Sequence, residues 1–199
     1  LLELLAERYV ARGAHQKLAA AHVRRSQALP ELGDRIDALC RAAEIFREKA
    51  ADPEGAARVL ESALALDPRE RDVLLALIDA CEALARPERA IAAVTLAIAA
   101  NPGDPWLHRS RASLHEVAGR FDLAVQDLAR AHESGGADYA GERMSALERA
   151  IARVAGGAAL PEDLSERELR LQLADHSARA GDLDRARTQL SDQIGRAHV

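Results

Sequence analysis

Apolar side chains recur along this chain at steps of three and four residues, and proline or glycine interrupts the pattern at short intervals. That alternation marks short amphipathic helices joined by tight connections. Leu1, Leu4, Leu5 and Val10 open a first helix that Gly13 stops; a second runs from about Ala14 to Ala28, ahead of Pro30 and Gly33. Asp34 reads as the N-cap of the third, with Ile36, Leu39, Ala43 and Phe46 on its apolar face and an end near Ala51. Asp52-Pro53 then restarts the chain, because an aspartate oxygen accepts from orphan N–H groups and proline suits the first helical position. Ala56, Val59, Leu60, Ala63 and Leu64 form the next stripe, up to Asp67-Pro68.

The segment from Arg71 to Ala85 places Leu74, Leu77, Ile78 and Cys81 inward, and Pro87 opens a helix striped by Ala90, Ile91, Val94, Ala97 and Ile98. After Asn101-Pro102, Asp104-Pro105 begins a helix that ends at Gly119, and the stretch from Phe121 to Ala131 points Ala124, Val125, Leu128 and Ala131 inward before Gly135-Gly136. A single long helix is predicted from Asp138 to Ala155, striped by Ala140, Met144, Leu147, Ile151 and Val154. Gly156 to Pro161 reads as a loop. Ser165 with Glu168 makes a capping-box pattern for a helix ending at Gly181, and Asp182 starts a last one with Leu183, Ala186 and Leu190.

The pattern repeats. Ala56, Ala90 and Ala124 stand 34 residues apart, as do Ala63, Ala97 and Ala131, and Pro68 and Pro102. A fixed period of this size signals stacked supersecondary units. The recurring alanine falls where the second helix of a pair crosses the first, and only a small side chain lets the backbones approach. From Ala124 the next equivalent is Ala186, so the ladder skips a rung and an irregularity is expected there.

These residues resemble the tetratricopeptide repeat, a 34-residue helix-turn-helix unit. The best fit is Leu74, Leu77, Ile78 and Cys81 followed by Ala90, Val94 and Pro102. Leu39, Ala42, Ala43 and Phe46 with Ala56, Leu60 and Pro68 form another, with one extra loop residue. His108, Arg111, Ala112 and His115 with Ala124 and Leu128 form a further unit, and Leu173, Ala174 and Ser177 with the run from Gly181 to Ala186 the last. The first is degenerate, with Leu18 and Pro30 in register. The resemblance implies an all-α fold, a right-handed α-solenoid of antiparallel helix pairs. The expected organisation is a degenerate pair over 1–33, repeats over 34–70, 71–104 and 105–137, a single helix plus a Gly-rich loop over 138–164, and a truncated repeat over 165–192. The family's Trp and Tyr are missing, and Pro30 and Pro68 are 38 residues apart.

Composition agrees: hydrophobic residues are 48% of the chain but aromatics only 3%, and Ala and Leu favour helix. A net charge of −5 gives no electrostatic reason to expect nucleic acid or an anionic membrane. The cations are nearly all Arg, with Lys only at 17 and 49, as in GC-rich genomes. No run is long enough for a membrane span. The chain starts at Leu1 and its one methionine is Met144, so a true N-terminus further upstream is expected, in a larger, bacterial protein. A cytoplasmic location is favoured, with a periplasmic one left open. The last six residues, Ile194 to Val199, read as a translated sequencing adapter (ATC GGA AGA GCA CAC GTC). Residues 193–199 are therefore expected to be a non-native tail, with native sequence stopping near Asp192.

Chemistry-bearing motifs are few. Cys40 and Cys81 match no metal or redox spacing and read as small buried hydrophobes. His15 and His22, like His108 and His115, are seven apart on one helix face, roughly 10 Å at 1.5 Å per residue, too far for one ion without a third ligand between. At His108 and His115 the repeat register has aromatic residues, so packing imidazoles are expected. There is no HExxH, GxSxG or GxGxxG, and neither Lys17 nor Lys49 follows a glycine as a P-loop requires. No catalytic residue, cofactor or metal is expected, and the chain is not read as an enzyme.

What the resemblance implies instead is a protein-interaction scaffold. Tetratricopeptide solenoids line their concave face with the first helix of each pair. Carried over by position, the candidates are Asp72, Leu75, Asp79 and Glu82; Trp106, Arg109, Ser113 and Glu116; and Glu168, Leu171, Asp175 and Arg179. Trp106 would be an anchor for a protein or peptide partner; a nucleic acid or small molecule is not expected. The family's carboxylate clamp is not supported, since Leu75, Asp79, Arg109 and Ser110 stand around its Lys and Asn positions. The alternative is a regulatory or sensory segment of a larger kinase, transcription regulator or transferase.

Overall fold

A computed structural model describes residues 8–9, 13–135, 140–156, 165–179 and 181–196. Most of the first predicted helix, most of the Gly156–Pro161 loop and the final three residues lie outside these. All regular structure among the described residues is helical. The chain divides into two compact units, Leu1–Pro102 and Gly103–Val199.

In the first unit, α1 (His15–Ala28), α2 (Leu32–Glu44), α3 (Pro53–Leu66), α4 (Arg71–Ala83) and α5 (Pro87–Ala100) each pack on the next in sequence. The alanine ladder occupies the crossings: Ala56, Ala63, Ala90 and Ala97 are all almost fully buried, beside Leu60, Leu64, Leu74, Leu77 and Val94. The restart at Asp52-Pro53 works as its chemistry demands, with the Gly55 N–H donating to Asp52 Oδ1 at 2.8 Å and Pro53 first in α3. Gly55 is required there, because a Cβ would stand 2.6 Å from Asp52 Oδ2 and 2.8 Å from the Phe46 ring.

Two expectations are corrected. α2 starts at Leu32 behind Glu31, so Asp34 is an acid in its first turn rather than its cap. That position still suits it, since the helix N-terminus favours negative charge. The extra residue of this repeat is also not in a loop. It is absorbed by a π-helical turn, Ile45–Lys49, at the end of α2, the usual way a helix accommodates an insertion.

That turn shifts one hydrogen bond by one residue. After α4 and α6, the chain reverses through a residue with positive φ, Ala85 or Gly119, and the next N–H reaches back five residues: Arg86 to the Cys81 carbonyl and Arg120 to the His115 carbonyl. This is the left-handed helix stop. At Ala51, also of positive φ, the following Asp52 N–H reaches back six, to Phe46.

In the second unit, α6 (Pro105–Val117), α7 (Phe121–Gly135), α8 (Ala140–Ala155), α9 (Glu166–Arg179) and α10 (Leu183–Arg196) again pack in sequence order. Asp104 accepts from the Trp106 N–H at 2.9 Å, Ser165 Oγ from Glu168 N at 3.2 Å and Asp182 from Arg185 N at 3.1 Å, so the three predicted helix starts are capped. One core joins Ala112 of α6, Ala124, Val125 and Leu128 of α7, Ala146, Leu147, Ala150 and Ile151 of α8, and Leu169 and Leu173 of α9. In α10 Ala186 is buried, whereas Leu183 and Leu190 are exposed. Each unit is thus a short all-α stack of the solenoid class.

Candidate interaction surfaces

The twelve residues carried over from the repeat register fall into three settings. On α4, Asp72, Leu75, Asp79 and Glu82 share an exposed stripe. Asp72 borders a pocket of about 180 Å³ lined also by Cys40, Ala43 and Glu44 of α2 and by Ala76 and Ala80. On α9, Glu168, Leu171, Asp175 and Arg179 are all exposed, and Asp175 pairs with Arg179 one turn on at 3.0 Å. This set is a solvated helix face.

The α6 set is the one built into a groove. Arg109, Ser113 and Glu116 line one wall of an open groove of about 610 Å³; Gly141, Glu142, Ser145 and Arg149 of α8 line the other, and Ala112 and Leu128 contribute apolar surface. Two ion pairs cross it. Arg109 Nε donates to Glu142 Oε2 at 2.7 Å, and Arg149 Nη2 donates to Glu116 Oε1 at 2.7 Å, both between residues 33 apart. The polarity is reversed between the two rungs, so each wall carries one cation and one anion with a serine between. Trp106 is half-buried near the start of α6.

By sequence Glu142 and Arg149 read as part of an ordinary solvated helix face, since they lie in the segment where the alanine ladder lapses. The signal was present in another register: a step of 33 from Arg109 and Glu116 reaches an opposite charge each time.

A second polar constellation lies between α6 and α7. Asp127 of α7 is buried, and Arg111 of α6 grips it with both ends of its fork: Nε donates to Oδ2 at 2.7 Å and Nη2 to Oδ1 at 2.6 Å. His108 Nδ1 and His115 Nε2, both buried, stand 3.7 Å from the two carboxylate oxygens. The imidazoles are packed in the core, as their register implied, but around a charge. Asp127 was overlooked among the apolar residues of its own stripe, Ala124, Leu128 and Ala131. One period earlier the equivalents are Leu74, Leu77, Cys81 and Ala93, all apolar and buried. The unit has replaced a patch of apolar core by an ionic one. Burial pushes the His115 imidazole below its ordinary value, with Arg111 and Arg120 adding to the shift and Asp127 opposing it.

Among the described residues no group of three or more His, Cys, Asp and Glu side chains is placed to hold a metal ion. No described helix is long and apolar enough to cross a membrane. The Cys81 thiol is buried and pushed up chiefly by that burial. Above it Arg89 of α5 bridges α3, reaching Glu54 at 2.8 Å and Glu61 at 2.9 Å, which holds its guanidinium still more firmly protonated.

A family model described as tetratricopeptide repeat matches residues 49–114. This stretch carries the tetratricopeptide repeat pattern. The matched stretch begins at the end of the π turn and runs through α3, α4 and α5 into α6. Among solved structures, that of MamA is 14% identical over 96% of this chain and 96% of its own, with a TM-score of 0.48. A thermophilic tetratricopeptide repeat protein in Thermus thermophilus is 22% identical over 74% and 80%, with a TM-score of 0.45. A tetratricopeptide repeat protein from Parabacteroides merdae is 16% identical over 98% and 78%, with a TM-score of 0.47. No curated protein matches the sequence. In these repeats the general role is that of a protein-interaction scaffold.

Proposed function

We propose that this tetratricopeptide repeat chain is a docking scaffold that takes a protein or peptide partner in the groove of α6 and α8, the exposed stripe of α4 being a separate docking surface of the first unit. The observation that carries the reading is the pair of reversed ion pairs across that groove, Arg109 with Glu142 and Arg149 with Glu116. Exposed pairs of this kind contribute little to stability, about 0–1 kcal/mol. Their use is orientation: because each pair costs little to open, an extended segment entering the groove exchanges them for its own contacts to a cation and an anion on each wall, which fixes its direction and register. The half-buried Trp106 adds an aromatic anchor on α6.

The test is a quantitative capture experiment with the 199-residue chain against the Arg109→Ala, Arg149→Ala double variant and against Trp106→Ala. Proteins held by the parent and lost by the double variant, with circular dichroism unchanged, support the groove. If both variants retain every partner, the groove is not the docking surface.

A further inference from the structure

The pocket between α2 and α4 has a chemistry of its own. At about 180 Å³ it exceeds the roughly 150 Å³ cavity that accepts a benzene-sized group, so it has room for one side chain. Its apolar lining is Ala43, Ala56, Leu60, Ala76 and Ala80, and the carboxylates of Glu44 and Asp72, both exposed residues, join it. The Cys40 thiol in its wall is pushed up first by burial and then by Asp37, Glu44, Glu70 and Asp72, two of which, Glu44 and Asp72, line the hole itself. Arg47, the cation of the lining, is engaged with its neighbour Glu48 at 3.1 Å. Along α4 the exposed stripe continues through Asp79 and Glu82.

An apolar side chain entering this hole would take the carboxylates at its rim out of water without a partner, which is costly. An acidic segment would be repelled outright. A long cationic side chain satisfies both surfaces at once, because its methylene stem covers apolar atoms while its head reaches the charge.

We propose that the α2–α4 groove docks a basic, extended segment of the partner, with one lysine or arginine stem seated on the alanines and its head against Glu44 and Asp72. The proposal rests on the docking reading given above and supplies the partner's chemistry in the first unit. The alanines at 76 and 80 are then small for two reasons: they let the helices approach, and they leave the hole open.

The test uses the intact chain and a short fluorescein-labelled peptide of alternating lysine and alanine, with glutamine and glutamate versions as controls. Binding is read by anisotropy, and occupancy by the rate at which iodoacetamide alkylates Cys40, since Cys81 is buried. The lysine peptide binds, slows Cys40 alkylation and loses affinity by about tenfold in the Glu44→Gln, Asp72→Asn variant, the equivalent of one charge-assisted contact. Ala76→Leu fills the hole, leaves every charge in place and weakens binding to a similar degree. Binding of the glutamine or glutamate peptide as tightly, binding that leaves Cys40 unprotected, indifference to both variants, or no binding at all overturns the proposal. If the Arg109→Ala, Arg149→Ala chain loses its partners while the lysine peptide fails to bind, the basic-segment assignment falls alone and the docking reading stands.

Discussion

Asp127→Asn is the sharpest probe of the second unit. The substitution keeps the shape of the side chain but removes the charge and turns one acceptor toward Arg111 into a donor. Asp127 is 3% exposed and Arg111 13%, with contacts of 2.6 and 2.7 Å. Two unit charges about 4 Å apart interact by about 4 kcal/mol at an effective dielectric of about 20, and breaking one side of a buried pair costs about 3–5 kcal/mol. The residual exposure of Arg111 lets water recover part of its solvation, which places the loss near the lower end, about 3 kcal/mol. For a unit of this size each kcal/mol moves the midpoint by about 4–8 °C, so the transition should fall by at least about 12 °C. Trp106 is the chain's one tryptophan and lies on α6, so its fluorescence reports this unit's unfolding by heat or urea. The double variant Arg111→Leu, Asp127→Ala installs the residue types of the preceding repeat, Leu77 and Ala93, and should recover most of the loss, since an apolar replacement of both partners is often neutral or better. A single variant within about 0.5 kcal/mol of the parent, the range of ordinary surface substitutions, would refute the buried-pair reading. So would a double variant no more stable than the single one.

Two further outcomes follow from local geometry. Ala85 holds a φ of 53° where its period-mates are Ala51 and Gly119; Ala85→Gly removes left-handed strain of about 1–2 kcal/mol and gives back part of it as unfolded-chain entropy, for a net gain of about 0.5–1 kcal/mol, and a lower midpoint in a urea melt would contradict it. His115 has a folded pKa below its ordinary 6.5, so the folded state binds its proton less tightly than the unfolded one: stability is full above that value and declines as pH falls from it toward the lowered folded value. Trp106-monitored melts should show this slope above the carboxylate range, and a His115→Gln chain with an unchanged slope would dismiss the assignment.

The period was legible because it is written in the smallest residues. Ala56, Ala90 and Ala124 sit at crossings that admit nothing larger, so sequence and geometry repeat together. The same period governs the helix stops at Ala51, Ala85 and Gly119, where alanine twice stands in a left-handed turn that glycine fills more easily; composition alone hides that. Caps were legible for Asp52, Asp104, Ser165 and Asp182, whose oxygens have one good use at a helix start. Asp34 failed because an acid in the first turn and an acid at the cap answer the same electrostatics, and only the backbone separates them. The one-residue insertion before Ala51 could be counted from the step of Phe46 to Ala56 against that of Cys81 to Ala90 but not placed, since a π turn and a longer loop consume the same residue.

The candidate surfaces were half legible for a deeper reason. Position in the repeat says which helix face is exposed, and the exposed stripes of α4 and α9 and the α6 wall follow from it. It does not say what stands opposite, which depends on the next helix along, and the α8 wall of the groove lies in the segment where the ladder lapses. The buried quartet marks the same limit from inside. His108, Arg111, His115 and Asp127 occupy positions that are apolar one period earlier, so periodicity assigns them to the core while their chemistry assigns them to water. The bidentate contact between Arg111 and Asp127 reconciles the two. That contact fixes α6 against α7 in one rotation, because a fork on a carboxylate tolerates far less sliding than leucine on alanine does. Arg109, Ser113 and Glu116 are carried on that same α6, so the buried ion pair sets the angle at which the groove's first wall is presented.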